Sequence, residues 1–180
     1  MKFIKAILLS ITLATCSFPV ISFADTIVQN NLIVGGTTPN TRYWSANGVN
    51  FIPLGPSATY SRLGAGLSNT SASYQWFVAP VNIPHGASIN EIMFCYTDTD
   101  LTTRIELDMI WLPQTSNYGS TMGNVNSTTS SSVACKSATL TPAHVVDNSS
   151  NTYILQVGLQ PTTHTFVSVR VSYSLSDPLP

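Results

Sequence analysis

The stretch Phe166–Tyr173, Phe-Val-Ser-Val-Arg-Val-Ser-Tyr, alternates apolar and polar residues along its length. Its three valines and Tyr173 fall on one face, and Ser168, Arg170 and Ser172 fall on the other. Side chains of a β-strand alternate between two faces, so a period of two indicates a strand with one buried face. The pattern predicts a half-buried β-strand close to the C-terminus.

The same alternation recurs at several places upstream. It is clearest in Tyr153–Leu159, Ile105–Trp111 and Ile92–Tyr96, and Pro113 marks the end of the Ile105–Trp111 strand. The segment Gln160–Thr163 separates the last two strands of the chain and contains a proline, which is typical of a turn. We therefore predict that these two strands form a β-hairpin.

Other segments carry less regular strand patterns. Tyr74, Trp76 and Val78 are predicted to form an inward face, which would place Trp76 in the core. Val133–Leu140 is predicted to be a strand. Thr115–Ser132 is rich in Ser, Thr, Asn and Gly, and it fits either a long loop or a weak edge strand.

These patterns indicate an all-β protein, because helical periodicity is almost missing while short strands and turn signals recur. Such a chain forms two packed antiparallel sheets or a barrel. We predict an antiparallel β-sandwich of about eight strands with a jelly-roll-like topology and one disulfide.

The N-terminus has the three-part pattern of a secretory signal peptide. Lys2 and Lys5 precede an apolar run, and Ser22-Phe23-Ala24 supplies small residues for cleavage. Residues 1–24 are therefore predicted to be a signal peptide and residues 25–180 a single β-sandwich domain, periplasmic or extracellular. A lipoprotein anchored at Cys16 is the weaker alternative, and no later segment is apolar over the ~20 residues that a membrane span needs.

The charge pattern excludes two classes of partner. Charged residues make up only 8% of the chain, and five basic and eight acidic residues follow residue 24. A basic stripe for nucleic acid is absent, as is a polybasic patch for membranes. The surface is expected to present mainly hydroxyl and amide groups, and the oligomeric state is left open.

Cys95 and Cys135 are the only cysteines after the predicted signal peptide. In an oxidising compartment such a pair normally forms a disulfide. Two cysteines without a neighbouring histidine make a poor zinc site. We predict a Cys95–Cys135 disulfide.

The segment Phe77–Ile89, with Pro84-His85-Gly86 at a predicted tight turn, is followed by the strand end Tyr96-Thr97-Asp98. This combination resembles a diffuse group of exported bacterial β-sandwich proteins of unassigned activity. The resemblance implies the fold and the export. It implies no catalytic residues.

No catalytic motif stands out in the chain. A Gly-x-Ser-x-Gly elbow and a His-Glu-x-x-His helix are absent from the sequence. His85, His144 and His164 lie in turn-like or strand-edge contexts. Glu106 and Asp108 lie two apart on one strand and face outward together, a spacing that fits a glycosidase pair but also an ordinary solvated face.

Asp98 and Asp100 lie where a strand enters a loop. Closely spaced loop carboxylates can bind calcium together with backbone carbonyls, so calcium is the one cofactor that the sequence suggests. The alternative is that both aspartates cap the turn through their own backbone.

Exposed aromatic and arginine side chains are enriched where proteins bind partners. On this ground the ligand-binding surface is predicted to consist of Arg42, Tyr43, Trp44, Tyr60 and Tyr118. The function expected is that of an exported, non-catalytic binding protein for a glycan or for a protein or cell surface. A jelly-roll subunit that oligomerises and a carbohydrate-acting hydrolase are the alternatives.

Overall fold

The computed structural model describes residues 40–175, so the predicted signal peptide and residues 25–39 lie outside the described part. Eleven strands and one short 3₁₀ turn, Gly48–Asn50, form this part. The strands are β1 (Asn40–Asn47), β2 (Ile52–Pro53), β3 (Tyr60–Leu63), β4 (Gly66–Asn69), β5 (Gln75–Pro80), β6 (Ser88–Asp98), β7 (Glu106–Pro113), β8 (Ser120–Asn126), β9 (Ser130–Val145), β10 (Asn151–Leu159) and β11 (His164–Leu175).

The strands form two antiparallel sheets. Sheet A has the order β3-β4-β11-β6-β9, and β1 pairs with the C-terminal part of β11. Sheet B has the order β2-β5-β10-β7-β8. No helical segment of residues 40–175 combines the length and apolar character that a membrane crossing needs.

The eight strands β4 to β11 have the connectivity of a jelly roll. They split into the orders β4-β11-β6-β9 and β5-β10-β7-β8, and most connections cross from one sheet to the other. The short strands β1, β2 and β3 extend these two sheets. The predicted fold, an antiparallel jelly-roll sandwich, is therefore confirmed.

The core lies between the two sheets and consists of the inward side chains of alternating strands. Sheet B contributes Leu107 and Leu155, and sheet A contributes Phe94 and Phe166, all without solvent exposure. Phe166 packs edge-on against Phe51, with ring centroids 4.7 Å apart. The alternation predicted for β6, β7 and β10 is confirmed, because those apolar sets face the core.

The predicted hairpin between the last two strands is wrong. β10 belongs to sheet B and β11 to sheet A, so Gln160–Thr163 carries the chain across the sandwich. Within this connection Thr162 has a positive φ of 63°. In β11 the alternation is interrupted by register irregularities against β6, one of them between Phe166 and Ser168, which leaves Val167 only half-buried.

The predicted inward face of β5 is also wrong. Phe77 and Ala79 are buried, whereas Tyr74, Trp76 and Val78 are half-exposed on the opposite side. Residues 74–79 contain two alternating sets of side chains, and both sets are apolar or aromatic except for Gln75. The alternation therefore does not determine which set faces the core.

Two predictions about the second half of the chain are confirmed. Cys95 on β6 and Cys135 on β9 are joined by a disulfide, at positions that face each other in the register. Of the two alternatives for Thr115–Ser132, the edge strand is present, because β8 pairs with β7 at the edge of sheet B.

Candidate functional site

The outer face of sheet B carries aromatic, carboxylate and amide side chains together. Phe77, Leu107 and Val157 are buried between the sheets. Because side chains alternate along a strand, the residues next to them in the sequence point outward. We call the outward set the Trp76 face and define it by the following residues: Tyr74, Trp76, Glu106, Asp108, Asn124, Asn126 and Gln156.

Strand register brings these residues, which are up to about 80 positions apart in the chain, into adjacent rows. Gly158 on β10 lies between Trp76 of β5 and Glu106 of β7. One row further along, Gln156 lies between Val78 and Asp108. Residues directly opposite on neighbouring strands have Cβ atoms roughly 4.5–5.5 Å apart, so each row forms a continuous strip of surface.

Tyr74 lies across the Gly158 position. A Cβ atom added at Gly158 would come within 1.7 Å of the Tyr74 hydroxyl oxygen, so only glycine leaves room for the ring there. The Tyr74 and Trp76 rings meet edge-on with centroids 5.3 Å apart, which is a favourable aromatic geometry. The two rings form a joined, half-exposed aromatic surface.

The aromatic pair borders a network of carboxylate and amide groups. The Asn124 side-chain amide donates to Asp108 Oδ1 at 2.7 Å and to Glu106 Oε1 at 3.2 Å. Asn126 Nδ2 in turn donates to Asn124 Oδ1 at 3.0 Å. These bonds fix the side chains and leave acceptor capacity on both carboxylates, since each ionised carboxylate has about four acceptor positions.

The same carboxylates act on the tyrosine. Burial of the hydroxyl, and then the negative charges of Glu106 and Asp108, hold the pKa of Tyr74 well above its ordinary value. Tyr74 is therefore a neutral hydrogen-bond donor throughout the physiological range. Its hydroxyl is directed toward the acidic part of the face.

Aromatic rings beside fixed acceptors and amides match the chemistry of a sugar. The faces of pyranose rings present C–H bonds that pack on aromatic rings, and their hydroxyls donate to carboxylates and exchange hydrogen bonds with amides. Such a surface is chemically suited to a polar, uncharged ligand, because it offers many directional contacts. Sequence reasoning missed it because Trp76 was assigned to the core, although Glu106 and Asp108 were correctly predicted to face outward.

The predicted binding surface of five residues is divided by the fold. Tyr43 on β1 points outward from sheet A and is 58% exposed. Trp44 pairs with the buried Val171 and packs against the core, so it faces inward, and the half-buried Arg42 lies on the same side of β1 as Trp44.

The other two residues lie elsewhere. Tyr60 on β3 packs edge-on against the core residue Phe77, with ring centroids 5.7 Å apart. Tyr118 is 85% exposed in the β7–β8 connection, which belongs to sheet B. The five residues thus do not form one surface, and a binding role for any of them individually stays a prediction.

Asp98, one of the two predicted calcium ligands, belongs to a buried polar cluster. Its Oδ2 accepts a hydrogen bond from the Ser127 hydroxyl, and its Oδ1 lies 3.3 Å from His164 Nε2. His164 Nδ1 accepts the backbone N–H of Gln160, so the neutral ring carries its proton on Nε2. Burial lowers the pKa of His164 more than neighbouring charges raise it.

This cluster contains the serine, histidine and aspartate of a hydrolytic triad, but its hydrogen bonds do not run from serine to histidine to aspartate. The Ser127 hydroxyl donates to the aspartate, not to the histidine, and accepts the N–H of Ile105. Asp98 and His164 have no solvent exposure. Among residues 40–175 the other histidines also lack a serine partner, because His144 contacts the Tyr153 hydroxyl and His85 accepts the Asn148 N–H.

Asp100, the second predicted calcium ligand, stabilises the loop that follows β6. Its Oδ1 accepts the backbone N–H groups of Thr102 and Thr103, and these bonds lower the pKa of its carboxyl group. Residues 40–175 contain no group of three or more His, Cys, Asp or Glu side chains arranged for a metal ion. Calcium binding at Asp98 and Asp100 stays a prediction.

No protein-family model matches the chain, and no curated protein matches it. Among solved structures, it is similar to the C-terminal family 6 carbohydrate-binding module of a laminarinase from Zobellia galactanivorans, with a TM-score of 0.49 and 7% identity over 72% of this chain and 98% of that one. A family 35 carbohydrate-binding module from Clostridium thermocellum has a TM-score of 0.46 and 12% identity over 72% and 97%.

A third similar structure is a family 36 carbohydrate-binding module in complex with calcium and xylotriose, with a TM-score of 0.46 and 12% identity over 71% of this chain and 97% of that one. At this level of similarity no ligand and no residue role is transferred to this chain.

Proposed function

We propose that this protein binds carbohydrate on the Trp76 face and does not cleave it. The observation that carries the proposal is the joined Tyr74–Trp76 surface beside Glu106 and Asp108, which Asn124 holds in place. A sugar ring packs on the aromatic side and its hydroxyls reach the acceptors. The pattern of residues 1–24 supports export, so the ligand is met outside the cytoplasm.

The arrangement of the carboxylates favours binding over hydrolysis. Glycosidases place two carboxyl groups on either side of the scissile bond. Here Glu106 and Asp108 project from one strand and accept hydrogen bonds from a single amide nitrogen. They line one side of a ligand, which suits recognition of neighbouring hydroxyls.

The proposal is tested by isothermal titration calorimetry of the mature chain with cellohexaose, xylohexaose and laminarihexaose. At least one of these is expected to bind, and Trp76→Ala is expected to weaken that binding by about tenfold or more, because aromatic anchors carry much of the energy of an interface. Asp108→Asn keeps the shape of the side chain but removes its charge, and it is expected to weaken binding less than Trp76→Ala does.

Tyr118→Ala is the matched control, because it also removes an aromatic ring but from the exposed β7–β8 connection. Its affinity is expected to equal that of the wild type. Affinity that depends on Tyr118 and is insensitive to Trp76 would contradict the proposed site. Release of reducing sugar in the same samples would contradict the non-catalytic role.

A further inference from the structure

The structure contains a groove on the side of the sandwich opposite to the Trp76 face. It lies on sheet A, has a volume of about 440 Å³, and is lined by β1, the 3₁₀ turn, β6 and β11. Its side chains include Ser45, Asn47, Asn50, Ser168 and Arg170. The volume falls within the range of small-molecule sites.

Arg170 is the charged group of this groove. Its guanidinium carbon lies 4.7 Å from the centre of the Tyr43 ring, so the tyrosine holds the guanidinium plane by a cation–π contact. Both ion pairs found within residues 40–175 are made by histidines, and none involves Arg170. Arg170 is therefore a cation that Tyr43 holds in place and that has no carboxylate partner among the described residues.

One edge of the guanidinium lacks a good acceptor. Nη2 contacts Met93 Sδ at 3.8 Å, and thioether sulfur is a weak acceptor. The adjacent Nε is buried and has no hydrogen-bond partner. Nε and Nη2 form the two-donor edge with which arginine binds a carboxylate in a bidentate manner.

The rest of the groove is polar but uncharged. Asn47 Oδ1 is buried and faces the backbone N–H of Asn50 in the capping box of the 3₁₀ turn, and its second lone pair is left for a ligand hydroxyl. Ser45 and Asn50 add further hydroxyl and amide groups to the lining. The groove therefore offers a bidentate site for an anion and several partners for neighbouring hydroxyls.

We infer that this groove binds a hydroxylated carboxylate of the size of a sugar acid, with the carboxylate on Arg170 and a hydroxyl on Asn47. Met93 moves aside to admit the carboxylate, since its unbranched side chain is flexible. This site lies on the other sheet from the Trp76 face, takes a different chemical class of ligand, and does not depend on the proposed function.

The test is an NMR titration of the wild-type mature chain with glucuronate, with glucose as the uncharged analogue. Glucuronate is expected to shift the Arg170 Nε–H resonance and the amides of Ser45, Asn47 and Ser168, and glucose is expected to leave them unchanged. Arg170→Gln should weaken glucuronate binding at least about tenfold.

Arg104→Gln is the matched control. It removes the same charge from the exposed loop after β6 and should leave the affinity unchanged. The inference is overturned if glucuronate produces no shifts at the groove, if both arginine variants weaken binding equally, or if acetate and sulfate bind as tightly as glucuronate, which would show an adventitious ion only. Arg170→Lys keeps the charge and loses the bidentate edge, so it too should bind weakly. Amide resonances outside the groove that match the wild type show that both Arg170 variants are folded, and tight glucuronate binding by Arg170→Lys would contradict the bidentate contact.

Discussion

Gly158 is the residue on which the aromatic part of the Trp76 face depends. It is buried near the end of β10, and its missing side chain lets the Tyr74 ring lie over the strand. A glycine inside a strand usually weakens it, so close approach by another group is the physical reason for its presence. Its role could not be read from the sequence, where Gly158 only interrupts an apolar run.

Gly158→Ala is expected to displace Tyr74 and to destabilise the fold by about 1–3 kcal/mol, as overpacking does. Carbohydrate affinity should fall with it, because the aromatic surface is disturbed. Urea denaturation measures the first effect and calorimetric titration the second. Gly55→Ala is the control, since the nearest atom to its added Cβ is 3.9 Å away, and an unchanged Gly158→Ala protein would contradict the described Tyr74 position.

His164 makes stability depend on pH. Its pKa in the folded chain is lowered by burial, so the unfolded chain binds a proton first as the pH falls. The free energy of unfolding is therefore expected to decrease as the pH drops below the ordinary histidine value of about 6.5. The pKa of His144 is lowered by burial too, and it adds to the same trend.

Thermal unfolding between about pH 7.5 and 5 measures this dependence. His164→Gln should be less stable than the wild type at neutral pH and should show a shallower decline below it. His85→Gln is the control, because it removes an exposed histidine that lies near Asp147 and should leave the decline caused by His164 in place. A wild-type stability that rises on acidification through this range would contradict the assignment of His164 as neutral.

At the scale of the elements, the disulfide joins β6, an inner strand of sheet A, to the edge strand β9. Cys95 on β6 and Cys135 on β9 are 40 positions apart, and β9 is held in the sheet by β6 alone. The cross-link limits the freedom of the unfolded chain over this loop.

Replacement of both cysteines by alanine is expected to lower the free energy of unfolding by roughly 4 kcal/mol, as the loop-entropy model gives for a loop of this length. Guanidinium denaturation with and without reductant measures it. Reductant should destabilise the wild type and leave the double variant unaffected. Equal stability of the two proteins would show that β9 does not need the cross-link.

The strands differ in how well the sequence predicts them. β7 could be predicted because one alternating set is apolar and the other contains the carboxylates Glu106 and Asp108. β10 could be predicted because every residue of one set, from Tyr153 to Leu159, is large and apolar or aromatic. β5 could not be oriented, because Trp76 and Phe77 compete for the core and only the sheet partners decide. The separation of β10 from β11 depends on long-range pairing, which local turn residues do not encode.

For the whole molecule, the two sheets present different chemistry. Sheet B carries aromatic rings with carboxylates and amides, and sheet A carries an arginine with hydroxyls and amides. The site residues of each face come together only through strand register, so they are scattered in the sequence. The predicted surface of Arg42, Tyr43, Trp44, Tyr60 and Tyr118 failed as a unit for the same reason, because exposure and proximity are set by the fold.

The central claim is that carbohydrate binds on the outer face of sheet B. The most direct measurement is a map of backbone amide shifts on addition of the oligosaccharide that binds most tightly. The account predicts that the shifted amides cluster at residues 74–78, 106–110, 124–126 and 156–158. Shifts confined to residues 40–47 or around Tyr118, with these four segments unchanged, would contradict it.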